Sequence, residues 1–201
     1  IAHGLSEAPK FMIHKSLDAA RNWYTITTAV DGSADYLYLN STAVANNSSV
    51  TEPTSNLMYF TSSVESNNGG ENYIVYMWHD VPGLQKFGSY LGTGNNSGAY
   101  VELGFRPALV WVKCSSNSGQ EWCVWDSARS PNNLIDKVLY PQAANSESTN
   151  GTSRKIDFLS NGFKLRNGSS GASDASGRTY IYCAWAESPT VNLYGAQSNA
   201  R

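Results

Sequence analysis

Apolar residues along the chain fall in short runs that alternate with polar ones, and each run ends at Gly, Asn, Asp, Ser or Pro. A period of two bounded by turn formers predicts strands. In LVWVKC at 109–114, Leu109, Trp111 and Lys113 share one face, and Val110, Val112 and Cys114 the other. Across a turn at 115–120, Trp122 and Val124 face one side, and Cys123 and Trp125 the opposite one. Apolar residues on both faces predict a strand pair covered on each side. An earlier stretch shows the same alternation, with Phe11, Ile13 and Trp23 on one face and Met12, His14, Tyr24 and Ile26 on the other. Turns are expected at Asp31-Gly32, Asn68-Gly69-Gly70 and Ser118-Gly119. LSNGFKLR at 159–166 reads as a hairpin with Asn161-Gly162 at its centre, where both residues tolerate positive φ. GASDASGR at 171–178 reads as a flexible loop tip. The connector holding Tyr90, Tyr100, Val101 and Leu103 carries the pattern of a further strand.

The pattern occurs twice. APKFMIHK at 8–15 matches RPALVWVK at 106–113, with Pro9 over Pro107 and Lys15 over Lys113. NWYTI at 22–26 then lies over EWCVW at 121–125, DYLYLN at 35–40 over DKVLYP at 136–141, MYF at 58–60 over IDF at 156–158, and NYIVYMWHDVP at 72–82 over TYIYCAWAESP at 179–189. Matches in one order across variable loops predict a duplicated unit, spanning about 4–92 and 104–195, each opening on a glycine, Gly4 or Gly104. The expectation is an all-β chain: one antiparallel β-sandwich of jelly-roll or lectin-like type, filling 1–201 and formed from two diverged repeats. Because the first residue is Ile1, the chain reads as a fragment of a longer protein.

Composition sharpens this picture. Charged residues make up 15% of the 201, against the ~25% usual for soluble domains, and Ser, Asn, Thr and Gly take over the polar role. A net charge of −2 supplies no basic field for a phosphate backbone, so no nucleic-acid partner is expected. No apolar run reaches the ~20 residues of a membrane-spanning helix, so no membrane insertion is expected. Cys114 and Cys123 would sit diagonally across their hairpin, too far apart for a disulfide, and all three cysteines read as free buried hydrophobes.

The second-half series GFRPALVWVK, WCVWDSAR, DKVLYPQAANSES, IDFLSNGFKLRN, TYIYCAWAESP and a terminal NAR resembles a domain of virion structural and tail-fibre-like proteins of marine bacteriophages, cyanophages in particular. YMWHDVPGLQKFGSYLGTGN in the first half resembles the upstream part of that domain, so the likeness covers nearly the whole chain. Cys183-Ala184-Trp185 departs from it, with Cys and Trp where a Met or Ala and a Phe are expected, a change in core packing only. The resemblance implies a place on the virion surface, in a tail or head appendage, among other virion proteins and as a homotrimer. It implies no ligand.

The chemistry-bearing residues narrow the function further. Asp126, Asp136 and Glu187 have no spacing that demands a glycosidase pair, and Asp126 is expected to cap a turn beside Arg129. His3, His14 and His79 lack metal-ligand spacing, and the glycines of 88–98 are not followed by the Lys-Ser/Thr of a phosphate loop. No cofactor, metal or catalytic residue is therefore assigned. Most aromatics fall in strand patterns, where core packing accounts for them. The residues placed to read a host surface polysaccharide are the loop side chains after the second tryptophan strand: Asp126, Arg129, Asn132 and Asn133. The leading reading is a non-enzymatic virion adhesin or scaffold; the alternatives are a polysaccharide depolymerase and a ligand-free cement or connector.

Overall fold

Period-two alternation becomes antiparallel pairing throughout. The computed structural model describes residues 1–149, 154–166 and 170–189, and among these there is no helix. The proposed end of the second unit at 195 and the terminal Asn199-Ala200-Arg201 lie outside the described residues. In the first half, β1 (Phe11–Ser16), β2 (Tyr24–Thr27), β3 (Asp35–Tyr38), β4 (Asn46–Asn47) and β5 (Tyr73–Trp78) form one sheet in the order β4-β3-β2-β1-β5. The chain then crosses over through β6 (Gln85–Leu91) and β7 (Tyr100–Glu102). A second sheet takes β6 with β8 (Leu109–Cys114), β9 (Trp122–Asp126) and β14 (Thr179–Trp185), in the order β6-β14-β8-β9. A bridge between Val124 and Leu139 extends it toward β10 (Lys137–Val138) and β11 (Ser148–Thr149). The third sheet is β12 (Ile156–Leu159), β13 (Gly162–Leu165) and β7.

The apolar faces stack these sheets into layers. Phe11, Ile13 and Leu37 of the first sheet meet Phe87, Trp122, Ile181 and Cys183 of the second. Trp78, Trp111 and Trp185 close that interface edge to face, at ring separations of 6.2 and 5.6 Å from Trp185. The other face of the second sheet carries Val110, Val112, Cys123, Trp125 and Tyr182 and packs on Val101, Phe158, Phe163 and Leu165 of the third. The outer face of the first sheet, with Met12, Tyr24 and Ile26, has no third sheet; Val50, Met58 and Phe60 from loops lie against it. Hydrogen bonds tie the two sheets as well: Trp122 Nε1 donates to the Tyr38 carbonyl at 3.0 Å, and Gly119 N to that of Thr42 at 2.9 Å.

The first sheet runs β4-β3-β2-β1-β5; in the second half β9-β8-β14 continues into β6, and the β11-β10 pair joins β9 through the Val124–Leu139 bridge, which gives the order β11-β10-β9-β8-β14. Phe11 faces Trp78 as Leu109 faces Trp185, and Phe11 faces Thr27 as Leu109 faces Asp126. Lys15 Nζ donates to the Arg21 carbonyl at 2.7 Å; Lys113 Nζ donates to that of Gln120 at 3.0 Å. The Trp23 amide is capped by Asn40 Oδ1 at 3.0 Å, and the Trp122 amide by Gln142 Oε1 at 3.1 Å. Gly4 and Gly104 both adopt positive φ, at 71° and 83°, a region where a side chain would be strained.

Three expectations need correction. The 159–166 hairpin pairs Leu159 with Gly162, so its turn is Ser160-Asn161, and among the described residues none but glycine has positive φ. Gly162 belongs to β13 because the Val101 carbonyl of β7 approaches it, and a Cβ there would lie 2.1 Å from that oxygen. The 171–178 segment is not a free tip: Ala172, Ser173 and Asp174 are buried, and the Asp174 carboxylate accepts from the Thr93 amide at 2.9 Å. Finally, Thr25 pairs with Leu37 but Val124 bridges Leu139, so the third strands correspond one residue further along than the sequence match of Asp35 with Asp136. Tyr38 therefore takes the place of Tyr140.

Candidate functional site

Asp126 ends β9, and its carboxylate folds the following turn. It accepts the Arg129 amide at 2.8 Å and Arg129 Nε at 2.6 Å. Burial alone would raise its pKa, but the hydrogen bonds and charge of Arg129 bring it below the usual carboxylate value. Arg129 also reaches Glu147, at 3.4 Å. Asn133 is spent on the backbone of β12, donating Nδ2 to the Phe158 carbonyl at 3.0 Å and accepting the Phe158 amide at 2.9 Å. Asn132 is exposed. Asn133 also borders an open cleft of about 610 Å³ with Asn96, Ser97, Leu134, Asp157 and Arg166, where Asp157 and Arg166 already pair at 2.9 Å. The four loop residues share a neighbourhood, yet all but Asn132 are committed to holding the fold.

A second cleft, of about 360 Å³, lies on the outer face of the first sheet. Tyr24 of β2 and Tyr36 and Tyr38 of β3 form its floor, since alternate residues of paired strands project together. Their rings make a triangle with centroid separations of 5.4, 5.9 and 5.8 Å. Around them stand Asn47, Ser48, Ser49, Thr61, Ser62 and Ser63, and Glu65 closes one side. Glu65 is held in place by Asn22, whose amide N–H and side-chain Nδ2 each donate to it at 2.9 Å. Burial first, then Tyr36 and the Glu65 charge, hold the Tyr38 phenol above its ordinary pKa. Burial likewise raises Tyr24, against a hydrogen bond with Ser48. Behind Tyr24 sits His14, fully buried, with both ring nitrogens unpartnered and its ring 5.9 Å from that of Tyr24 and 5.4 Å from that of Phe60. Burial pulls its pKa down to about 4, so it is neutral in the fold at pH 7.

The same positions in the second half are sealed. Cys123 and Val138 stand where Tyr24 and Tyr36 do, both fully buried. Tyr140 stands where Tyr38 does, but the Arg154 guanidinium lies 5.0 Å from its ring centroid and pairs with Glu121 at 3.0 Å.

The tyrosine cleft was missed because each tyrosine, read singly, fits a core strand. The readable signal was Tyr24 standing over Cys123, beside hydroxyl-rich runs at 47–49 and 61–63; the match of Tyr36 with Val138 emerges only from the strand register. Among the described residues no group of three or more His, Cys, Asp or Glu is placed to hold a metal ion, and no helix is long and apolar enough to cross a membrane.

These features define an all-β protein of stacked antiparallel sheets that presents an aromatic, hydroxyl-rimmed cleft on one outer face. Over residues 1–189 the chain matches the family described as Domain of unknown function (DUF7483), and it belongs to that family. No curated protein and no solved structure matches it.

Proposed function

We propose that this chain is a surface-exposed module of a bacteriophage virion, in a tail fibre or head appendage, that binds host surface glycan without cleaving it. The observation that carries the binding half is the tyrosine cleft. Tyr36 and Tyr38, partly exposed over buried Tyr24, offer apolar surface for pyranose C–H groups, while Asn and Ser/Thr side chains at the rim suit sugar hydroxyls. Among the described residues Glu65 is the one carboxylate in the lining and both its oxygens accept from Asn22, which favours binding over a two-carboxylate hydrolysis. The virion half rests on the resemblance of the motifs at 104–189 to phage structural proteins.

We further read the two halves as one duplicated unit, on the shared strand order and matched lysine and tryptophan hydrogen bonds. After duplication one outer face stayed open and the other was sealed. The test has two arms. Antibody against the domain should label purified particles; signal confined to cell lysate would overturn the virion assignment. On an array of bacterial surface polysaccharides, the domain should retain at least one glycan and lose it on Tyr38→Ala. Flat arrays with large buried contacts to other virion proteins would favour a ligand-free connector, and release of reducing ends a depolymerase.

A further inference from the structure

Resting on the glycan-binding reading above, we infer that the tyrosine cleft selects sugars bearing a free, protonated amine. The second half supplies the template. There a cation, the Arg154 guanidinium, covers the tyrosine at the matching strand position and is anchored by Glu121. The first half keeps the tyrosine, Tyr38, and adds Tyr24 and Tyr36 around it, but among the described residues no basic side chain enters the lining. Asn22 replaces Glu121 at the matching position, and it holds a carboxylate, Glu65, at the cleft wall. The charge at the wall is thus negative and the place over the ring is open. Arg21 feels the Glu65 charge, but Glu71 engages it at 2.6 Å. The partly exposed rings of Tyr36 and Tyr38, over buried Tyr24 and beside a carboxylate, favour an ammonium group, because the ring quadrupoles and the charge of Glu65 attract the same ion. An anionic sugar would meet Glu65 with no countercharge among the described residues of the lining. The surrounding hydroxyls and amide, at Asn47, Ser48, Thr61 and Ser63, favour a polyhydroxylated carrier over a basic peptide.

Titrating the folded domain by calorimetry at mildly acidic pH tests this with three probes: a glucosamine oligomer, its fully N-acetylated counterpart and a lysine/arginine-rich peptide. The amine-bearing oligomer should bind at least tenfold tighter than the acetylated one. Glu65→Gln should cut that ratio several-fold, and Tyr38→Ala should abolish binding, with circular dichroism showing both variants folded. Equal binding of the two oligomers, lost on Tyr38→Ala, would overturn amine selectivity while leaving the glycan site standing. Binding of neither oligomer, with an amine-free glycan still retained on the array and lost on Tyr38→Ala, would overturn amine selectivity alone; binding of neither oligomer with a flat array would overturn both readings. Binding of the peptide alone would make the cleft a cation site for protein and overturn the sugar assignment.

Discussion

The two outer faces of this molecule begin from one strand order and end differently. On the second half, Cys123, Val138 and Tyr140 disappear beneath Arg154 and a third sheet. On the first half, Tyr24, Tyr36 and Tyr38 floor a cleft rimmed by serines and threonines. What differs is what covers the face: a third sheet and the Arg154 guanidinium in the second half, loops at 47–49 and 61–65 in the first. A sealed face contributes stability, because its aromatic and guanidinium groups find permanent partners. An open face gives some of that up and keeps surface free for a ligand.

The comparison can be broken first at its shared tryptophan. Trp122 is fully buried between the sheets, whereas Trp23 at the matching position is 39% exposed. Trp122→Ala should cost roughly 3–5 kcal/mol in urea unfolding and Trp23→Ala less than about 1; equal costs would mean the halves do not pack as described. Acid should act next, through the first half. His14 is buried neutral, with a pKa of about 4 in the fold against 6.5 outside it. The unfolded chain therefore takes up the proton first as pH falls. The stability that His14 contributes is complete above pH 6.5 and lost progressively toward pH 4, roughly 3 kcal/mol in all. His14→Phe should flatten that slope in denaturation curves measured across this window, and an unchanged slope would place the acid sensitivity elsewhere. Arg154→Ala, which unseals the second face and leaves Glu121 and Tyr140 without their cation, should cost about 2 kcal/mol. Smallest in stability is Tyr36→Ala, about 1 kcal/mol, since its ring lies at the cleft surface and is only partly buried. Yet this change should remove glycan retention, whereas Arg154→Ala should leave it intact.

Much of the fold was legible because alternation is a local property. The faces of β1, β2, β8 and β9, the free cysteines and the turn-capping role of Asp126 all follow from residues a few positions apart. The misread turn at Ser160-Asn161 and the buried segment around Asp174 depend on β7 and on the 92–98 stretch, contacts far away in the chain that no local pattern reports. The site was harder for the same reason. Asp126, Arg129 and Asn133 look like a polar binding loop, but their partners are Arg129 itself, Glu147 and the Phe158 backbone. Tyr24, Tyr36 and Tyr38 look like core until the loops at 47–49 and 61–65 leave their face open.

The central claim is that ligand binding belongs to the open face of the first half. Its most direct test is amide chemical-shift mapping of the isotope-labelled domain, titrated with the glycan it retains most strongly on an array. Shifts should concentrate at Tyr24, Tyr36, Tyr38, Asn47, Ser63 and Glu65. Shifts centred on the turn from Asp126 to Asn133 or on the Asp157–Arg166 cleft, or the absence of any retained glycan, would contradict it.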